Sequence, residues 1–154
     1  MERRITEEQV TKAILIWLEE NDWEIICFDF PGSGTGVPLH PNERLGNTKN
    51  KGSFIPDIVA IKNEIVIFFE NKDRFVLSDF IKVQNLKNNN DYSNSIQIFL
   101  AKFEYSKILY GVGLAHSNTT ENKTNIHLDK IDFAVFYDSN GVIKTHFSTI
   151  GLFD

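Results

Sequence analysis

The sequence predicts an α/β sandwich, a mixed central β-sheet flanked by helices. Three observations lead there: a fully signalled amphipathic helix near the start, two apolar runs that read as a β-hairpin, and a second helical pattern followed by more strands. Helix, strand, hairpin, helix, strand is an order that stacks helices on the faces of a mixed sheet. At 154 residues and 42% hydrophobic content the chain reads as one domain with a sizeable, phenylalanine-rich core.

Thr6-Glu7-Glu8-Gln9 is a capping box, with the Thr6 hydroxyl placed to accept from the Gln9 N–H and Gln9 to reach back. Ile5 and Val10 hold the staple positions, so a helix starts at Glu7. Val10, Ala13, Ile14, Trp17 and Leu18 form its apolar stripe, and Glu20-Asn21-Asp22 ends it. By helical geometry Glu7 lies roughly 50° from the centre of that stripe and Glu8 roughly 150° away. Glu7 is thus the acid able to look inward, although the helix dipole alone also favours acids in a first turn.

Trp23 to Phe30 reads as the first strand, ended by Pro31-Gly32-Ser33-Gly34-Thr35-Gly36. This glycine run lacks both the Gly-Lys-Ser/Thr of a phosphate-binding loop and the spacing of a dinucleotide fingerprint. From residue 31 to residue 55 the expectation is a long loop without apolar periodicity. Loops of that length in a compact domain are usually functional or disordered. Arg44, Lys49 and Lys51 are its expected phosphate contacts, the other reading being a solvated loop.

The stretch Phe54 to Arg74, FIPDIVAIKNEIVIFFENKDR, carries the chemistry. Ile58 to Ile61 and Ile65 to Phe69 are β-branched and aromatic runs separated by Lys62-Asn63-Glu64. A two-residue Asn63-Glu64 loop pairs Lys62 with Ile65, and counting outward brings Asp57 opposite Glu70. Their Cβ atoms then lie about 4.5–5.5 Å apart. Facing carboxylates repel unless something positive lies between them, and a divalent cation such as Mg²⁺, usually held by one or two carboxylates, meets that need. Lys72, two residues past Glu70, projects from the same strand face. Taken singly, each of these residues is equally well a solvated strand end. Together and in register they describe an active site.

Pro56-Asp57, twelve residues, then Glu70-Asn71-Lys72 resembles the PD-(D/E)xK nucleases, which include restriction endonucleases, archaeal Holliday-junction resolvases and the VRR-NUC group. The resemblance spans about residues 6 to 101. It implies a restriction-endonuclease-like fold and Mg²⁺-dependent hydrolysis of DNA phosphodiester bonds, with Mn²⁺ as a substitute. Products would carry a 5′-phosphate and a 3′-hydroxyl. Asp57, Glu70 and the Asn71 carbonyl would hold the metal, Lys72 would act on the water or the developing charge, and Glu7 would join them, as an early glutamate does in VRR-NUC enzymes. Ser33 is similar to a resolvase serine that approaches the substrate, and Gln84 matches a glutamine common on the family's second helix. Asn71 departs from the usually apolar middle residue of the motif, which puts the packing behind the strand in question. The rival expectation is a non-cleaving DNA- or protein-binding subunit of a restriction or repair complex on the same fold. For a cutting enzyme, a homodimer or a larger nuclease complex is the expected assembly.

The rest of the chain adds structure. Phe75 to Asn90 reads as a helix with Leu77, Phe80, Ile81 and Val83 as its apolar positions; Ile96 to Ala101 and Ile108 to Ala115 read as strands. Ser117 to Asn125 reads as a surface loop. Ile131 to Tyr137 and Val142 to Phe147 flank Ser139-Asn140-Gly141, a strong hairpin signal.

Net charge is −5, against a broad basic surface but compatible with an acidic site that makes few phosphate contacts. One cysteine, Cys27, cannot form an internal disulfide, and its apolar neighbours suggest burial. Four scattered histidines offer no zinc spacing. The first residues lack signal-peptide character and no apolar run reaches membrane length, so the expected location is the cytoplasm.

Overall fold

A computed structural model describes residues 4–30, 32–42 and 53–153. Helix α1 (Glu7–Glu20) leads into strand β1 (Glu24–Phe28), and β2 (Ile58–Lys62) and β3 (Ile65–Lys72) form the hairpin. Helices α2 (Leu77–Asn88) and α3 (Ser93–Phe99) precede β4 (Lys107–Ala115). Helix α4 (Asn118–Ile126) and a 3₁₀ turn at Leu128–Lys130 lead to β5 (Phe133–Tyr137) and β6 (Ile143–Ser148).

Among the described residues, six strands lie in sequence order in one sheet. β3, β4 and β5 run parallel, while β1, β2 and β6 pair antiparallel. Parallel neighbours require a crossover, supplied by α2 and α3 in one case and by α4 in the other. The result is a mixed sheet with helices on both faces. One core holds Val10, Ile14 and Leu18 of α1 against Ile58, Ile67, Phe69 and Phe133; the other holds Phe80, Val83 and Leu86 of α2 with Ile96 and Leu100 against Val59, Phe68 and Val112.

The capping box of α1 forms as expected, with Gln9 N donating to Thr6 Oγ1 at 3.1 Å and Thr6 N to Gln9 Oε1 at 2.8 Å. The hairpin register also holds: Lys62 faces Ile65 and Ile58 faces Phe69. Asn63 and Glu64 both have positive φ, 51° and 66°, the handedness that matches a two-residue turn to the strands' twist.

Several expectations are corrected. Residues 96–101 are not a strand, because Ile96 and Leu100 point inward one helical turn apart while Ile98 is 78% exposed. β-branched content suggested strand; the crossover to β4 needed a helix. Residues 117–125 are helix α4 instead of a loop: Ser117 caps it, accepting from Thr120 N at 3.1 Å, and buried Thr120 and Thr124 form a polar inner face that hydrophobic periodicity does not detect. On α2, Leu77 and Ile81 are exposed, and the inner face is Asp79, Phe80, Val83 and Leu86. β1 is shorter than residues 23–30, with Trp23 buried ahead of it. The segment after β1 is less featureless than expected, since Leu39 is buried and bridges Phe54. Its continuation is pinned to α3 where His40 N donates to Ser95 Oγ. Arg44, Lys49 and Lys51 lie outside the described residues. No described helix is long and apolar enough to cross a membrane.

Candidate active site

The site forms at the open end of the hairpin. Asp57 sits just before β2, after the rigid ring of Pro56, and its main chain is tied on two sides: Asp57 N donates to Phe69 O at 3.1 Å, and Asp29 N donates to Asp57 O at 2.8 Å. Its side chain accepts from Asn71 N, with Oδ2 at 2.7 Å. That bond turns the Asp57 carboxylate toward Glu70, which lies on the sheet face covered by α2.

Glu70 is 7% exposed. Burial, the Glu70 charge and a side-chain contact with Glu70 push Asp57 up to about 9, while the Asn71 N–H pulls the other way. Burial also raises Glu70, opposed chiefly by Lys82. Each carboxyl thus raises the cost of ionising the other, Asp57 through the charge of Glu70 as well as through burial. Two acids held this close with so little water are costly to ionise together.

Lysines flank the pair. Lys82 of α2 places Nζ 3.6 Å from Glu70 Oε2. Lys72 Nζ lies 3.4 Å from Glu7 Oε1 and 3.7 Å from Asp79 Oδ2, and these acids, with Glu70, raise it despite the cost of burial. Glu8 instead pairs with Lys12 on the outer side of α1, so the helical geometry separated the two acids correctly.

Asn71 faces the opposite way. Its Nδ2 donates to Thr11 Oγ1 at 3.1 Å, and Thr11 Oγ1 donates to Glu7 O at 3.1 Å. The polar middle residue of the motif thus serves to anchor the first turn of α1, which carries Glu7.

Asp57, Glu70, Lys72 and Glu7 are brought together. Ser33 is not at the acids: its Oγ accepts from Phe30 N at 3.2 Å and lies 3.5 Å from Asp29 Oδ1, in the turn beside the Asp57 main chain. Gln84 is half-buried one turn beyond Phe80, with no hydrogen bond to the acids. Asp79 and Lys82 are the members that sequence reasoning missed. An aspartate directly before Phe80, on the same helical face as Val83, was the signal; placing Leu77 and Ile81 on the inner stripe hid it.

Whether a cation suits these residues is tested by their unmet valences. Glu70 Oε2 and Asp79 Oδ2 are buried without a hydrogen bond, with the Lys82 and Lys72 ammoniums at 3.6 and 3.7 Å, beyond hydrogen-bond length. Buried carboxylate oxygens lacking donors are a donor set suited to a hard cation. Among the described residues no three His, Cys, Asp or Glu side chains converge as a ready ligand group, so a cation would rest chiefly on Asp57 and Glu70, with main-chain oxygen, water and substrate supplying most of the remaining positions.

No family model matches the chain, and no curated protein matches it. Two solved structures are similar. One is an XisH family protein from Nostoc punctiforme, 18% identical, with 88% of this chain and 95% of that one covered and a TM-score of 0.43. The other is an fdxN element excision controlling factor protein from Anabaena variabilis, 19% identical, with 90% and 95% covered and a TM-score of 0.42. Similarity at this level carries no argument about activity.

Proposed function

We propose that the protein is a metal-dependent DNA endonuclease of the PD-(D/E)xK type, hydrolysing phosphodiester bonds with Mg²⁺, or Mn²⁺ in its place. The observation that carries this reading is the pairing of half-buried Asp57 with buried Glu70, with Lys72 two residues on along the same strand. Two acids that raise the cost of each other's ionisation support a reading in which positive charge is to be received between them.

Asp57 and Glu70, with the Asn71 carbonyl beside them, would hold the cation, and Glu7 would assist from α1. The bound ion would supply Lewis-acid stabilisation of the scissile phosphate and a more acidic water. The chain's own groups do the positioning. Asn71 N fixes the Asp57 carboxylate, and Lys72, held by Glu7 and Asp79, carries a full positive charge to meet the negative charge that builds on the phosphate. Low exposure at Glu70 and Asp79 limits water and strengthens these interactions. DNA is the proposed substrate, and the fold would serve restriction, repair or recombination.

The test is digestion of linear, supercoiled and branched DNA with Mg²⁺ or Mn²⁺ and sequencing of the fragment ends. Asp57→Ala and Lys72→Ala should each abolish cation-dependent cleavage with the fold intact. Full cleavage by the Asp57 variant ends the proposal. A second reading, a binding subunit that does not cut, is favoured by the engagement of Lys72 with two carboxylates at once. Calorimetry showing no heat of Mg²⁺ binding would support it.

A further inference from the structure

At the carboxyl ends of the parallel strands β3, β4 and β5, reached one residue beyond Lys72, lies a cleft of about 530 Å³. Ligands of open α/β sheets bind outside the carboxyl ends of the strands. Asp73 and Arg74 enter it from the end of β3, His116 and Ser117 from the end of β4, and Arg4 from the residues ahead of α1.

Asp73 anchors both arginines, accepting from Arg4 Nη2 at 2.8 Å and from Arg74 Nη1 at 2.7 Å. The Asp73 side chain is 15% exposed while those of Arg4 and Arg74 are 73% and 60% exposed. A guanidinium has five donors, so each keeps most of its N–H groups free toward solvent after meeting Asp73. The trio carries net positive charge on a chain whose total is −5. Two other acids lie nearby and keep their charge, Asp138 with Oδ1 accepting from Asn140 N and Val142 N and Glu121 with Oε1 paired to His116 Nε2, so a phosphate contact there rests on the two guanidiniums and not on the charge of the whole cleft. The first turn of α4 also lines the cleft through Ser117 and Thr120. Thr120 Oγ1 accepts from Phe75 N at 3.4 Å, locking that turn to the segment bearing Arg74.

We infer that this cleft receives a backbone phosphate of the DNA strand that is cut, close to the phosphate at Asp57 and Glu70. The inference rests on the nuclease reading and adds a place where the strand is gripped. Lys72 and Asp73 are consecutive, so the two positions share the end of one strand, and a sugar-phosphate chain passing over it meets the acid pair and then the arginine pair. Planar guanidiniums pinned by one carboxylate are pre-organised for bidentate phosphate contact.

The experiment uses the full chain and a fluorescein-labelled duplex, with affinity read by anisotropy across a salt series. Four proteins are compared: the natural sequence, Asp57→Ala, Arg4→Gln/Arg74→Gln, and Arg4→Lys/Arg74→Lys, each checked for folding by circular dichroism. The glutamine pair should weaken binding about tenfold. It should also lower the slope of log affinity against log salt by about 0.9, as expected when one phosphate is no longer neutralised, and the lysine pair should restore that slope. Unchanged affinity and slope in the folded glutamine variant, with Asp57→Ala inactive, overturns the cleft and leaves the nuclease standing. Cleavage by Asp57→Ala, with binding abolished in the glutamine variant, overturns the nuclease and keeps the cleft as a DNA site. A natural sequence that binds no duplex overturns both.

Discussion

The Asn71 side-chain amide donates to the Thr11 hydroxyl at 3.1 Å, and both side chains are completely buried between β3 and α1. The two residues join the motif strand to the helix that delivers Glu7. Thr11→Val leaves the Asn71 amide without its acceptor in an apolar layer, a loss of about 1–3 kcal/mol. Urea unfolding should show that loss. Asn71→Leu removes both needs at once and should cost less than Thr11→Val, unless the amide shape itself is required. The order of the two midpoints checks the claim.

The Asp57 carboxyl makes stability depend on pH in a definite direction. Its ordinary value of 3.8 rises to about 9 in the fold through burial and the Glu70 charge. The folded protein thus binds more protons than the unfolded chain between those values, so this contribution is fully present below about 3.8 and is lost as pH rises through about 9. Asp57→Asn mimics the protonated form and keeps an acceptor for Asn71 N. Without divalent cation its Tm should exceed that of the natural protein at pH 8 and converge with it at pH 4. Added Mg²⁺ should raise the Tm of the natural protein and leave the variant unmoved. Equal melting curves at pH 8 would contradict the raised Asp57 carboxyl.

Lys82 competes for the charge a cation would use. Its ammonium lies 3.6 Å from Glu70 Oε2, and the side chain is 47% exposed. Lys82→Ala should strengthen Mg²⁺ or Mn²⁺ binding by a few-fold, since a partly exposed like charge contributes about 0.2–1 kcal/mol of repulsion. Calorimetric titration with Mn²⁺ reads the change. Weaker cation binding in the variant would mean that Lys82 orders Glu70 more than it repels the ion.

The sequence made the hairpin and its acids legible because turn chemistry and strand periodicity are local. Asn63-Glu64 sets the register, and register alone brings Asp57 to Glu70. The capping box placed Glu7 in the same way. Asp79 and Lys82 were not legible because they depend on which face of α2 meets the sheet, and that face is chosen by packing. A stripe drawn through Leu77, Phe80, Ile81 and Val83 turns the helix by roughly 100°, slightly more than a quarter-turn. Helix α4 escaped because its inner face is made of threonines, and α3 because isoleucines favour strands wherever tertiary context does not decide otherwise.

Cys27 tests the burial of β1. It is 7% exposed, and burial together with the charge of Asp29 pushes its thiol up to about 12. The thiolate is the reactive form, so the folded protein should resist iodoacetamide at pH 8 and react fully after unfolding in guanidinium. Mass spectrometry of the intact chain distinguishes zero from one adduct. Rapid modification under native conditions would mean that the β1 edge opens readily.

The helix that carries Glu7 depends on a residue with no side chain. A Cβ on Gly113 of β4 would meet Ile14 Cδ1 and Asn71 Oδ1. Both neighbours are wholly buried, so neither can swing aside without moving α1 away from the sheet. Overpacking of that kind costs about 1–3 kcal/mol. Gly113→Ala should therefore lower stability to urea and also weaken the link from Glu7 to Lys72, which reaches the site from the same helix. Ile14→Val in the same chain removes one methyl from the contact and should recover part of the loss, where alone it would cost about 0.5–1.5 kcal/mol. A double-mutant cycle on the unfolding free energies measures this coupling. Strict additivity of the two changes would show that α1 does not rest on β4 at this point, and Glu7 would then owe its position to the Thr11 and Asn71 bond alone.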